Sequence, residues 1–145
     1  MIAPGPRVAT VSLRYFFAAL LLAAGAGKAA DIVGFIPVVA GYGILPAAAV
    51  APAAVLLTLV ELFLGAWLAS GRRLATAAVV TVGLHMMYLV WLAQALLRGL
   101  EIPNCGCFGV YWPRPLTWWT LVEDTLLLGL AGLLRHCAGR YAGKT

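Results

Sequence analysis

Four apolar runs, 12–30, 47–70, 74–97 and 116–134, are each long enough to cross a bilayer as a helix, and polar or glycine- and proline-rich breaks separate them. A hydrocarbon core is about 30 Å thick and a helix rises about 1.5 Å per residue, so one crossing takes about 20 residues. The pattern predicts an all-α integral membrane bundle of four transmembrane helices in a single domain, residues 1–145. Residues 31–46 are also apolar, but Gly34, Pro37, Gly41, Gly43 and Pro46 interrupt them. That predicts a short interfacial or re-entrant segment after helix one, not a fifth span. The first run has a signal peptide's outline, with Arg7 and Arg14 ahead of it and small residues at its end. Lys28 inside the would-be cleavage region argues for a retained helix instead.

Basic residues orient the bundle, because segments rich in Lys and Arg stay cytoplasmic. Arg7 and Arg14 mark the amino end, Arg72 and Arg73 the turn between helices two and three, and Arg135, Arg140 and Lys144 the carboxyl end. In a four-span chain those places share one side, so both termini are predicted cytoplasmic. The other side carries Lys28, Arg98 and Arg114, offset by Asp31 and Glu101, and loop 98–115 faces outward. Tyr111, Trp112, Trp118 and Trp119 would form an aromatic belt there. Composition agrees: 63% of residues are hydrophobic and 10% charged, far from the roughly 25% charged of a soluble domain. The net charge of +5 is then a topology signal and not a nucleic-acid footprint. Ala24, Gly25, Gly27, Gly65 and Gly83 are small residues that would let helices approach closely.

The outer loop holds Asn104-Cys105-Gly106-Cys107-Phe108-Gly109. Alternate residues of an extended chain lie nearly 7 Å apart at Cα, at the edge of disulfide range, so a Cys105–Cys107 bridge needs a bend that Gly106 permits. Such a ring is strained and therefore exchangeable, and it closes too short a loop to stabilise much. Redox exchange by Cys105 and Cys107 on an oxidising face is the favoured reading. A static bridge and a metal site are the alternatives, although the loop has no His and no metal ligand set is assigned. Cys137, expected beyond the fourth helix on the cytoplasmic side, is too distant to pair with either.

Ionisable residues also fall within the spans. Glu61 lies about ten residues before the Arg72–Arg73 turn and His85 about twelve after it, both near mid-bilayer. Asp124 follows Glu123 on helix four, and Lys28 sits toward the outer end of helix one. Thr81, His85 and Tyr88 share one helical face, as do Thr117, Thr120 and Asp124. Such costly residues either neutralise each other, Glu61 with Lys28 or His85, or serve a ligand. A quinone lodged near Glu61, His85 and Asp124 is one carrier such a core could hold, although no cofactor signature names it.

With these residues laid out, the chain resembles the methylamine utilisation protein MauE family within the DoxX-like group of four-helix membrane proteins. The likeness covers Arg14 to about Leu134. It rests on Arg14, the Ala-Gly-x-x-Lys element at Ala24, Gly25 and Lys28, Tyr-x-x-Leu-Pro at Tyr42, Leu45 and Pro46, and Glu61. It continues through Arg98-Gly99, the signature Cys105-Gly106-Cys107-Phe108-Gly109, and Thr117-Trp118. Family members often carry Arg before the acidic residue of helix four, where this chain has Glu123 before Asp124. The resemblance implies a multi-pass protein of the bacterial inner membrane, acting with a periplasmic thioredoxin-fold partner in disulfide chemistry. It implies that this chemistry matures a periplasmic client such as methylamine dehydrogenase. If the chain is an enzyme at all, it is thiol-disulfide oxidoreductase-like. The rival reading is a non-redox scaffold or small transporter built on a polar core around Glu61, and a simple anchoring subunit is a third.

Overall fold

The computed structural model describes residues 6–142, so Lys144, one of the orienting basic residues, lies outside the described residues. Every regular element among them is a helix: α1 (Pro6–Ala30), α2 (Ile32–Ala40), α3 (Ala47–Ser70), α4 (Leu74–Leu97) and α5 (Trp118–Ala142). The two outermost helices outrun the apolar runs that announce them. An apolar run marks the part suited to hydrocarbon, whereas backbone hydrogen bonding carries a helix on into polar surroundings. One expectation changes as a result: Cys137 lies within the last turns of α5, not beyond it. Arg140 in the last turn of α5 complements the negative end of the helix dipole.

Segment 31–46 is partly ordered as the short helix α2. Asp31 caps its start, the carboxylate accepting the Gly34 amide at 2.8 Å. Pro37 sits inside this helix, and the chain leaves it at Gly41. Phe35 and Val39 bury against Val50 and Ala54 of α3, so α2 is packed as a shoulder on the bundle.

Length and apolarity mark α1, α3 and α4 as helices able to cross a membrane, and the chain is a helical membrane protein. These are three spans where the apolar pattern predicts four. The helix that differs is α5, where Glu123, Asp124 and Arg135 lower the hydropathy of an otherwise long apolar stretch. It is nevertheless packed into the bundle. Ala131 and Leu134 are buried with Phe17 and Leu21 of α1, Leu64 and Leu68 of α3, and Ala77 of α4. At the opposite end Leu116 and Leu121 pack with Leu92 and Ala95 of α4, so α5 runs antiparallel to α4. Contacts are densest between α1 and α3 and between α4 and α5, whereas α3 and α4 touch sparsely although they are consecutive.

Small residues do part of this packing. A methyl group on Gly25 would come within 2.8 Å of Leu62, and one on Gly65 within 2.8 Å of Leu22, so these glycines set the close α1–α3 crossing. Gly83 differs: nothing lies within 4 Å of the place a side chain would occupy, so it serves no helix contact. Gly27 receives the cysteine loop instead of a helix.

Candidate functional site

Residues 98–117 fold back over the α2 end of the bundle. Two backbone bonds tie the limbs of this loop together, Cys105 amide to Arg114 carbonyl at 2.7 Å and Leu116 amide to Ile102 carbonyl at 2.9 Å. The bend between the cysteines falls at Gly106, whose φ of 76° lies in the left-handed region that favours glycine. A Cβ there would also strike Phe35 and Val38 of α2, at 2.8 and 2.9 Å. Asn104 braces the turn from within, accepting the Gly106 amide at 2.9 Å and donating to the Gly109 carbonyl at 3.1 Å. Gly109 has a φ of 76° as well, and its own approach to Gly27 leaves no room for a side chain on either residue. The Cys-Gly-Cys-Phe-Gly string is thus shaped to turn sharply and to lie against α1 and α2.

Three long side chains hold the loop from below. The Tyr42 hydroxyl donates to the Cys105 carbonyl at 2.9 Å, while its ring meets Trp91 edge-on at a centroid distance of 5.8 Å. Burial pushes the Tyr42 phenol up, so it stays a neutral donor. The Arg98 guanidinium donates to the Tyr42 carbonyl at 2.9 Å and so fixes the residue that holds Cys105. Lys28, 2% exposed in the last turn of α1, donates to the Cys107 carbonyl at 2.8 Å.

That lysine also reaches the membrane core. Its Nζ lies 2.8 and 2.7 Å from the two carboxylate oxygens of Glu61, with both side chains 2% exposed. Tyr88 of α4 donates its hydroxyl to the same carboxylate. Of the two partners open to Glu61 the structure selects Lys28. His85 turns to its own helix, Nδ1 lying 2.9 Å from the Thr81 carbonyl, and packs edge-on against Phe17 and Tyr88. Asp124 is buried on α5, and its Oδ2 has no hydrogen-bond partner among the described residues. Glu123 faces the loop and pairs with Arg114 at 2.7 Å, both side chains about one-third exposed.

Both loop cysteines are free thiols, Cys105 buried and Cys107 half-buried. They are electrostatically unequal. A hydrogen bond from the Cys107 thiol draws the Cys105 thiol down to about 7 against the opposing effect of burial. The Cys107 amide, 3.5 Å from the Cys105 sulfur, and the charges of Arg114 and Lys28 act in the same direction. The proton that Cys107 shares with Cys105, together with burial, pushes the Cys107 thiol up. One sulfur is therefore prepared to carry negative charge and its neighbour to keep a proton.

Of the residues singled out from sequence, Lys28, Glu61, Gly106, Phe108 and Gly109 meet at or beside the cysteines, with His85 and Asp124 deeper along one shared cavity. Gly25 is apart from them, in the α1–α3 contact. Arg14 lies at the far end of the bundle, against Gly71 and 4.4 Å from the Tyr15 ring. Tyr42, Tyr88, Trp91 and Asn104 join the site only in three dimensions. Tyr42 and Tyr88 already stood out by motif and by helical face, but their partners come from elsewhere in the chain.

The model of the methylamine utilisation protein MauE family matches residues 6–136. The methylamine utilization protein MauE of Paracoccus denitrificans is 31% identical over 120 residues, covering 83% of this chain and 64% of that protein, so the chain spans less than two-thirds of this relative's length. No solved structure matches. The loop signature lies within the matched residues, and the chain belongs to the methylamine utilisation protein MauE family.

Proposed function

We propose that this chain is a membrane thiol-disulfide exchanger in which Cys105 and Cys107 alternate between dithiol and disulfide. In this reading α5 is the fourth crossing, both termini are cytoplasmic, and the loop faces the periplasm from a bacterial inner membrane. A thioredoxin-fold protein is the exchange partner, and a periplasmic enzyme of methylamine utilisation such as methylamine dehydrogenase is the client. The observation that carries the proposal is the inequality of two adjacent thiols on a glycine bend, one of them stabilised as thiolate by its neighbour's thiol and amide. The placing of buried Lys28 and partly exposed Arg114 about this loop has no counterpart in a merely structural bridge.

The inequality assigns roles. In the oxidised chain a partner thiolate attacks the sulfur of Cys107, the less buried cysteine, and Cys105 leaves as the better-stabilised thiolate. A mixed disulfide now joins Cys107 to the partner. The partner's second thiol then attacks its own sulfur in that bond and releases Cys107, and protons return to both cysteines. The partner loses two electrons and two protons to become a disulfide, and this chain gains them as a dithiol. Run backward, the same steps reduce the partner.

Trapping tests the assignment. With diamide as the two-electron oxidant, Cys105→Ser is expected to accumulate a mixed disulfide through Cys107 with a thioredoxin-fold protein lacking its resolving cysteine, and Cys107→Ser is expected not to. Full function in the double serine variant would instead favour a non-redox scaffold or transporter built on the Lys28–Glu61–Tyr88 core.

A further inference from the structure

A cavity of about 370 Å³ lies directly beneath the cysteine loop, and all five helices contribute to its wall. That volume is within the range of small-molecule sites, which are apolar with a few placed polar groups. Most of this wall is Leu, Val and aromatic side chain, yet Cys105, Cys107, His85 and Asp124 all line it. The last two are buried polar groups with unused capacity. His85 is 2% exposed and Asp124 8%, and Asp124 Oδ2 has no partner among the described residues. With Nδ1 donating to the Thr81 carbonyl, a neutral His85 keeps a free lone pair on Nε2. Burying such groups without partners costs stability, and a bound molecule bearing hydroxyls that donate to them would satisfy them.

The cavity's opening tells where such a molecule comes from. Leu56 of α3 and Met87 of α4 line it and are 62% and 41% exposed on the bundle's outer surface. They stand on α3 and α4, which touch sparsely although they are consecutive. In a bilayer those outer faces meet acyl chains, so the mouth between α3 and α4 admits a lipid-soluble ligand. The chemistry at the upper wall narrows its class. A dithiol becoming a disulfide releases two electrons and two protons, and an apolar carrier able to take up both is a quinone.

We propose that this cavity binds a membrane quinone, with its head group between the cysteine pair and the His85 and Asp124 side chains, as the electron acceptor of the Cys105/Cys107 dithiol. The inference rests on the exchange reading given above and names the oxidant it requires. In the reaction two S–H bonds break and one S–S bond forms. Two electrons and two protons reduce the two quinone carbonyls to hydroxyls. Asp124 Oδ2 and His85 Nε2 are then placed to accept the O–H groups of the hydroquinone, which leaves by the mouth through which the quinone came.

The test uses the full chain, quinone-free, in lipid nanodiscs, with decylubiquinone as probe under anaerobic conditions after removal of excess reductant. Saturable binding of one decylubiquinone per chain is expected. Ala53→Phe, which fills the cavity from a partly exposed position, should weaken binding about tenfold or more. Leu56→Trp, at the exposed mouth and so without a folding burden, should slow binding. Reduced wild-type protein should form one hydroquinone for each pair of thiols lost. Non-saturable binding, or binding unchanged in both Ala53→Phe and Leu56→Trp, would overturn the site. Binding without thiol oxidation would overturn the acceptor role. Disulfide exchange with a thioredoxin-fold protein, measured separately without quinone, distinguishes the failures: if it persists while the quinone is inert, only the present inference falls, and if the thiols react with neither, both fall.

Discussion

Lys28 and Glu61 face each other at 2.7 Å with 2% of each side chain exposed, in surroundings where neither charge could sit singly at modest cost. Tyr88 and the Cys107 carbonyl complete the hydrogen bonding, and the Phe35 ring lies 5.6 Å from the ammonium. Removing one partner strands the other. Lys28→Met is expected to cost about 3–5 kcal/mol, read as a fall in thermal unfolding temperature in detergent, because it leaves a buried uncompensated carboxylate. Adding Glu61→Gln to it should recover most of that loss, since the amide is neutral and still accepts from Tyr88. An additive double variant would show that the two residues do not act as a pair. The cysteines make a second prediction at this scale. Cys105 is drawn down to about 7, so its thiolate is present above that pH and is lost as pH falls through it. The rate of exchange with a small disulfide should therefore rise through a midpoint near pH 7 and level off above. In Cys107→Ala the donor thiol is gone, and the midpoint should move up toward the roughly 8.5 of an ordinary cysteine.

The loop earns its shape from close approach to α1 and α2. Gly27 and Gly109 meet backbone to backbone, Gly106 lies on Phe35 and Val38, and Tyr42 and Lys28 grip the carbonyls of the two cysteines. Gly109→Ala combines a strained left-handed φ with a collision at Gly27. It should lift the loop while the helices persist: far-ultraviolet circular dichroism unchanged, and Cys105 alkylated about tenfold faster or more as its burial is lost. Unchanged alkylation would mean that the loop is held by something else. Much of this element's shape was legible beforehand. The Cys-Gly-Cys string required a bend, Gly106 could supply it, and Lys28 and Glu61 were too costly to be idle. The Tyr42-x-x-Leu-Pro motif, however, carried no sign that its hydroxyl would hold the Cys105 carbonyl, 63 residues away in sequence. Nor did spacing distinguish Gly83, which faces open space, from Gly65, which seats Leu22. Periodicity reports which face a residue occupies, and the identity of the facing helix comes only from the packed bundle.

At the scale of the molecule the unequal helices matter most. Phe17, Leu68, Ala77 and Leu134 close the end near the turn 71–73, while Tyr42, Leu92, Ile102 and Cys105 close the other. The basic residues Arg14, Arg72, Arg73 and Arg135 belong to the first end and the cysteines to the second. Apolar pattern alone gave α5 the same standing as α1, α3 and α4, yet its Glu123 and Asp124 set it apart. Those charges have occupations in the fold, Glu123 with Arg114 and Asp124 in the cavity wall, so a helix can be part of the bundle while reading as too polar. If α5 crosses, the ends of the molecule must label from opposite sides. In a background with all three native cysteines replaced by Ser, Trp112→Cys should react with an impermeant maleimide from the periplasm, and Arg140→Cys only after the inner membrane is opened. Labelling of both from one side would remove the fourth crossing.

The most direct test of the central claim is the redox state of Cys105 and Cys107 in intact cells, fixed by acid quench and read by mass-tagged alkylation. The account predicts a disulfide at steady state that opens to a dithiol on brief treatment with reductant and closes again after washout, with Cys137 unchanged throughout. A pair that stays in one state through the whole cycle would contradict it.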